Sequence, residues 1–115
     1  MHTVAYLFRR KPGMDREEFF KLYDEHKAVM ASNARGLISY TQHPFRQPEA
    51  IGDTYTTDEN EKYDALSIYT YASAEDSEFS NRLTAISSDS ERFIDFDSML
   101  SLPLIKQEVC IEKYK

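Results

Sequence analysis

One cysteine, three glycines, no tryptophan and a shortage of cations exclude whole classes of function for this 115-residue chain. Cys110 alone cannot close an internal disulfide, which fits a reducing compartment. No apolar run approaches the roughly 18 residues that cross a bilayer. Met1-His2-Thr3 leads straight into a strand-like run, without the basic and then apolar stretch of a secretory leader, so a cytoplasmic protein with no membrane partner is expected. Gly13, Gly36 and Gly52 form neither a GxGxxG turn nor a phosphate loop, and no nucleotide cofactor is expected. Fourteen Lys and Arg against 20 Asp and Glu leave a formal charge of -6. That balance gives no electrostatic footing for nucleic acid. His2, His26 and His43 stand too far apart for a local ligand set, and with no second cysteine a metal site has no support. No nucleophile elbow marks a serine.

What the chain does have is aromatic surface, eight Tyr and seven Phe, able to line a pocket as well as fill a core. Its length suits one domain, 1–115, burying about two thirds of its unfolded surface. Thr3 to Arg9 alternates as a first strand, and Lys11-Pro12-Gly13 ends it. Asp15 fits an N-cap with Glu18 as its box partner and Met14 and Phe19 as staple, opening a helix over Arg16 to Ala31 that stops at Asn33 to Gly36. Gly36 to His43 reads as a second strand closed by Pro44. Arg46 to Lys62 is a long polar surface loop, either a lid or simply solvated.

Tyr63 to Tyr71 is aromatic and β-branched almost throughout, a third strand. Ser73, with Asp76 at the box position, caps a second helix whose buried face is Phe79, Leu83 and Ile86. Ser87 to Ser90 then breaks it, Glu91 to Phe96 makes a short amphipathic turn, and Leu104 to Ile111 is expected as the last strand. The order βαββαβ is the ferredoxin-like α+β arrangement, a four-stranded antiparallel sheet with both helices on one face. Large apolar side chains occupy both faces of the strands, Tyr6 and Phe8 against Leu7, and Leu66 and Ile68 against Tyr69 and Tyr71. The face without helices therefore expects a cover, most simply a second copy of the chain, and a homodimer follows.

One residue is out of place in the first helix. Phe19, Leu22, Tyr23, His26, Val29 and Met30 fall in a stripe roughly 120° wide, with His26 near its midline. An imidazole there is either held by a partner for packing or used as an acid, base or donor, since its ordinary pKa is about 6.5. Facing the core, it could reach a small hydrophobic or aromatic ligand held against the sheet. Phe19, Leu22, Tyr23 and Met30 beside it, with Tyr6 and Tyr69 from the strands, are the expected walls. His43 at the end of the second strand and Asp64 at the start of the third are candidates to assist it, the latter by orienting a histidine or polarising a hydroxyl. Tyr40, Tyr6 and Tyr69 either pack the sheet or donate to an enolate oxygen.

The run Arg9-Arg10-Lys11-Pro12-Gly13-Met14 after a strand, followed by Glu17-Glu18-Phe19 and Glu25-His26-Lys27-Ala28 on a helix, resembles the signature of the EthD family of dimeric α+β barrels. Tyr40-Thr41-Gln42-His43, Tyr63-Asp64-Ala65, Asp89 with Phe93-Ile94-Asp95, and Gln107-Glu108-Val109 extend the match more loosely along nearly the whole chain. Ala65 stands where the family often has glycine, and the loop before the third strand is long. The resemblance implies a homodimer with a cavity between sheet and helices in each subunit. It implies chemistry without cofactor: a lyase or cyclase of polyketide-type biosynthesis that cyclises, dehydrates or decarboxylates a hydroxylated aromatic, with His26 as proton-transfer group supported by Asp64, Tyr40 or His43. Two alternatives stay open, an accessory protein that only binds a hydrophobic intermediate and a cofactor-free monooxygenase of an anthrone-like substrate.

Overall fold

The computed structural model describes residues 1–45 and 62–109, so the expected loop Arg46 to Lys62 lies outside the described residues except for its last position. Four strands, β1 (His2–Arg10), β2 (Leu37–Pro44), β3 (Ala65–Tyr71) and β4 (Ile94–Leu104), form one antiparallel sheet in the order β2-β3-β1-β4. Helix α1 (Arg16–Asn33) follows β1, and α2 (Ala74–Arg82) and α3 (Thr84–Glu91) lie between β3 and β4. This is the expected α+β arrangement, with the second helix divided in two.

Local signals set the ends of the elements. The Asp15 carboxylate accepts from the Glu18 N–H at 2.8 Å, and the Ser73 hydroxyl accepts from the Asp76 N–H at 3.1 Å; each satisfies one of the donors a helix start leaves open. Gly13 turns the chain between β1 and α1 at φ +83°, a region that costs a residue with a Cβ.

Three expectations are corrected. Phe79, placed on the buried face of the second helix, is 42% exposed and carries the Arg35 guanidinium 3.9 Å above its ring. The buried positions of α2 are Ser77 and Ser80 instead. Ser80 Oγ accepts from the Arg35 N–H at 2.9 Å and donates to the Arg35 carbonyl at 3.3 Å. A helix this close to the backbone before β2 has room for small side chains only. Ser87 to Ser90, read as a break, lie inside α3, and the break falls at Leu83, which is extended at ψ 127°. A serine costs a helix only about half a kcal/mol, less than burying Ile86 and the Asp89 contact described below return. The last described strand is Ile94–Leu104; of the expected Leu104 to Ile111, residues 105–109 carry no strand and Cys110 and Ile111 lie outside the described residues. The strand pairs with β1 through Leu7↔Leu100, Ala5↔Leu102 and Thr3↔Leu104, and Pro103 is tolerated because β4 is an edge strand.

The helix-facing side of the sheet holds two apolar clusters. Phe8, Phe19, Leu22, Tyr23, Ala65, Phe93 and Ile94 make one; Val4, Met30, Tyr69, Tyr71 and Ile86 make the other. On the opposite face the register aligns His43, Leu66, Leu7 and Leu100 in one row and Thr41, Ile68, Ala5 and Leu102 in the next. There Leu100, Leu102 and Leu104 are 40–44% exposed, so an apolar face stands open.

Candidate active site

His26 is 2% exposed, on the core side of α1 where its stripe puts it. Its Nδ1 lies 2.7 Å from Asp89 Oδ2, and its ring meets the edge of Phe93 at 5.4 Å. A carboxylate can only accept, so Nδ1 carries the hydrogen. The other oxygen of Asp89 accepts from Arg92 Nη1 at 2.8 Å, and Arg92 also reaches Glu25 at 3.6 Å. Burial lowers the His26 pKa below 6.5; the hydrogen bond and charge of Asp89 pull it back only in part. Burial alone would raise the Asp89 carboxyl, but hydrogen bonds and charge from His26 and Arg92 outweigh it and leave it below the ordinary value. The pair is thus a neutral imidazole donating to a carboxylate. Among the described residues Nε2 has no protein partner, yet no buried side-chain nitrogen or oxygen is left sealed without one, so Nε2 keeps access to open space.

That space is a cavity of about 240 Å³ bounded by the sheet and the helices, into which His26 and Met30 of α1 face together with Tyr6 of β1 and Tyr69 of β3. Asn81, Ile86, Ser87 and Ser90 form the helical wall opposite, and Phe96 and Met99 of β4 the rim. Asn81 Nδ2 donates to the Tyr6 hydroxyl oxygen at 3.2 Å, which leaves the Tyr6 O–H free to donate elsewhere. Tyr69 packs edge-on against Tyr6 at 5.6 Å and stacks on Tyr40 at 4.4 Å. Its hydroxyl is pushed well above 10 by burial and by the neighbouring tyrosines, so it stays protonated. An acceptor, Nε2, and a donor, the Tyr6 hydroxyl, therefore share a mostly apolar space with Asn81, Ser87 and Ser90, the pair of functions that proton abstraction from a carbon acid requires.

The expected residues divide by position. His26, Tyr6, Tyr69 and Met30 come together at the cavity. Tyr40 stands behind Tyr69, its hydroxyl accepting from Gln42 Nε2 at 2.6 Å. Phe19, Leu22 and Tyr23 belong to the closed cluster around Phe8 and Phe93, where the Tyr23 hydroxyl meets Ser67 Oγ at 2.7 Å. His43 is exposed on the opposite face, bonded to Thr41 at 2.9 Å. Asp64 is five residues from Tyr69, about 17 Å along an extended chain, and its carboxylate takes the Arg10 guanidinium at 2.6 Å and the Arg10 N–H at 2.8 Å. It borders a separate polar hollow with Arg9, Lys11 and Asp95. Asp89, named in the sequence only as part of the looser family match, and Asn81, Ile86, Ser87, Ser90, Phe96 and Met99 were not among the expected site residues. Besides that match, the Asp89-x-x-Arg92 spacing, an i,i+3 ion pair, is a local signal that points to Asp89.

Residues 11–97 match the model of the EthD domain family. No curated protein sequence matches the chain. Among solved structures the chain is similar to a dimeric ferredoxin-like protein from Bacteroides fragilis, with TM-score 0.62 and 9% identity over 90% of this chain and 93% of that one. It is similar to the hydroxynitrile lyase from Passiflora edulis, with TM-score 0.58 and 14% identity over 96% of each chain. It is also similar to SnoaB, a cofactor-independent oxygenase from Streptomyces nogalater, with TM-score 0.58 and 10% identity over 93% of this chain and 95% of that one. At these identities the likeness is one of fold.

Proposed function

The chain belongs to the EthD domain family, and on that premise we propose that it is a small homodimeric enzyme that moves protons on a hydroxylated aromatic or polyketide-type molecule without a cofactor. The observation that carries this reading is the Nε2 of a neutral His26, which has no partner among the described residues and belongs to a ring that lines the cavity, while Nδ1 is held by Asp89 at 2.7 Å. Nε2 takes a proton from carbon, and the charge that develops on the neighbouring carbonyl oxygen is met by the Tyr6 hydroxyl. The enolate then closes on a second carbonyl or expels a β-hydroxyl as water, with the imidazolium returning the proton; in a decarboxylation the enolate forms directly as carbon dioxide leaves, and a donor need only protonate the carbon. Met30, Tyr69 and Ile86 set apolar surface beside the base, which limits the water around it. The partner subunit covers the open face of Leu100, Leu102 and Leu104, and the dimeric likeness supports this.

Exchange of the α-hydrogens of 2-tetralone in deuterated buffer, followed by proton NMR, tests the base. The native protein should accelerate it, and His26→Gln should fold and lose the acceleration. Full exchange in that variant refutes the assignment. The likeness to SnoaB gives a second reading, oxygenation of an anthrone-like substrate, which oxygen uptake would reveal; binding of such a ligand with neither exchange nor uptake identifies an accessory protein.

A further inference from the structure

The walls of the His26 cavity carry no lysine, arginine, aspartate or glutamate among the described residues. The nearest carboxylate, Asp89, has both oxygens engaged, one by His26 and one by Arg92, so it offers nothing to a cationic ligand. An anion would enter with no counter-ion and face the charge of Asp89 behind the imidazole. It would also approach a chain of formal charge -6, a field that disfavours anions before contact. Burying an unpaired charge is among the largest penalties a site can impose.

Size limits the ligand as well. An apolar cavity of about 150 Å³ holds one benzene ring, so about 240 Å³ accommodates one substituted ring or two fused rings. The polar groups are few and placed: Nε2 accepts, and the Tyr6 hydroxyl, fixed by Asn81 at 3.2 Å, donates. We infer that this cavity selects an uncharged ligand of one or two rings bearing an acidic hydroxyl or an enolisable carbonyl, and rejects carboxylates and phosphates. This rests on the reading of His26 as the working base and narrows it, favouring cyclisation or dehydration of neutral substrates over decarboxylation, whose substrate enters as an anion.

Isothermal titration of the full chain at pH 8 with four probes tests the inference: 2-naphthol, methyl 6-hydroxy-2-naphthoate, 6-hydroxy-2-naphthoate and 2-anthrol. The ester is bulkier than the acid and uncharged, so the two separate charge from size. The expected result is that the carboxylate binds about a hundredfold more weakly than the larger ester, and 2-anthrol about tenfold more weakly than 2-naphthol. Asn81→Arg, which sets a cation at the cavity wall and gives up the contact to Tyr6 for both ligands alike, should raise the ratio of carboxylate to ester affinity about tenfold. Carboxylate affinity within tenfold of the ester's, equal affinity for 2-anthrol, or no binding of any probe overturns the inference. None of these depends on tetralone exchange: loss of exchange in His26→Gln with equal carboxylate binding leaves the base standing and removes only the selectivity.

Discussion

Asp89→Asn keeps the volume and the hydrogen-bonding positions beside His26 and removes only the charge. In the native site the carboxylate admits one tautomer. A hydrogen bond from Nδ1–H to an ionised oxygen at 2.7 Å contributes about 1.5–3 kcal/mol. At about 1.4 kcal/mol per tenfold that is a ten- to hundredfold preference for hydrogen on Nδ1 and a lone pair on Nε2. An asparagine amide can donate to Nδ1 as readily as it accepts, which sends the hydrogen to Nε2 and turns the base into a donor. The substitution also withdraws the negative charge that steadies the imidazolium once it has taken a proton, worth on the order of 4 kcal/mol at 4 Å in a medium of effective dielectric 20. Together these amount to about 5.5–7 kcal/mol and predict a fall of about 10⁴ to 10⁵ in exchange rate, the lower end being the loss seen when the same change is made in a Ser-His-Asp triad. Two measurements check it. Two-bond nitrogen–proton correlation spectra of the imidazole should show the Nδ1–H form in the native chain and a mixture or the Nε2–H form in the variant, and tetralone exchange should fall in step. An Nε2–H form in the native protein, or a variant that keeps full exchange, refutes the reasoning.

Burial holds folded His26 below the ordinary 6.5, so between the two values the unfolded chain binds the extra proton and stability rises with pH. The contribution of a neutral His26 is complete above about pH 6.5 and is lost as pH falls through the folded value; urea unfolding should therefore show the native chain losing stability below pH 6.5 faster than His26→Gln, and parallel curves would contradict this. Gly36 has φ +68° and an added Cβ would run into the Asp76 carboxylate, so Gly36→Ala should lower the unfolding free energy by about 1–3 kcal/mol, and a neutral result would show that the turn relaxes. Leu102 is central to the exposed apolar face at 40% exposure; Leu102→Asp should give monomers by sedimentation equilibrium at micromolar concentration, whereas a persisting dimer would place the interface elsewhere.

Features written within one turn of chain are legible in the sequence alone. The Asp15 and Ser73 caps, the Gly13 turn and the face of α1 that holds His26 depend on neighbours three or four residues away. What escapes a reading of the sequence depends on distant partners. Both Leu104 to Ile111 and the run ending at Leu104 alternate with period two, and only pairing with β1, some ninety residues earlier, chooses between them. Ser87 to Ser90 read as a helix break until the burial of Ile86 and the pairing of Asp89 with His26 give α3 its reason to continue. Asp89 lies 63 residues from His26, and its pairing leaves no periodic trace.

Asp64 and Asp89 show why burial of a polar group is a poor guide to function by itself. Both carboxylates are buried, at 3% and 9% exposure, and both are held by hydrogen bonds no longer than 2.8 Å. They differ in what their partners have left over. Arg10 gives Asp64 a guanidinium nitrogen and its backbone N–H, then spends Nε on the Met14 carbonyl at 2.7 Å, so both Asp64 oxygens are taken up in fastening the end of β1 to the start of β3. His26 gives Asp89 one nitrogen and keeps the second, and Asp89 decides which form that second nitrogen takes. A positioned atom with unused hydrogen-bonding capacity, opening on an apolar cavity, is what separates the working pair from the structural one.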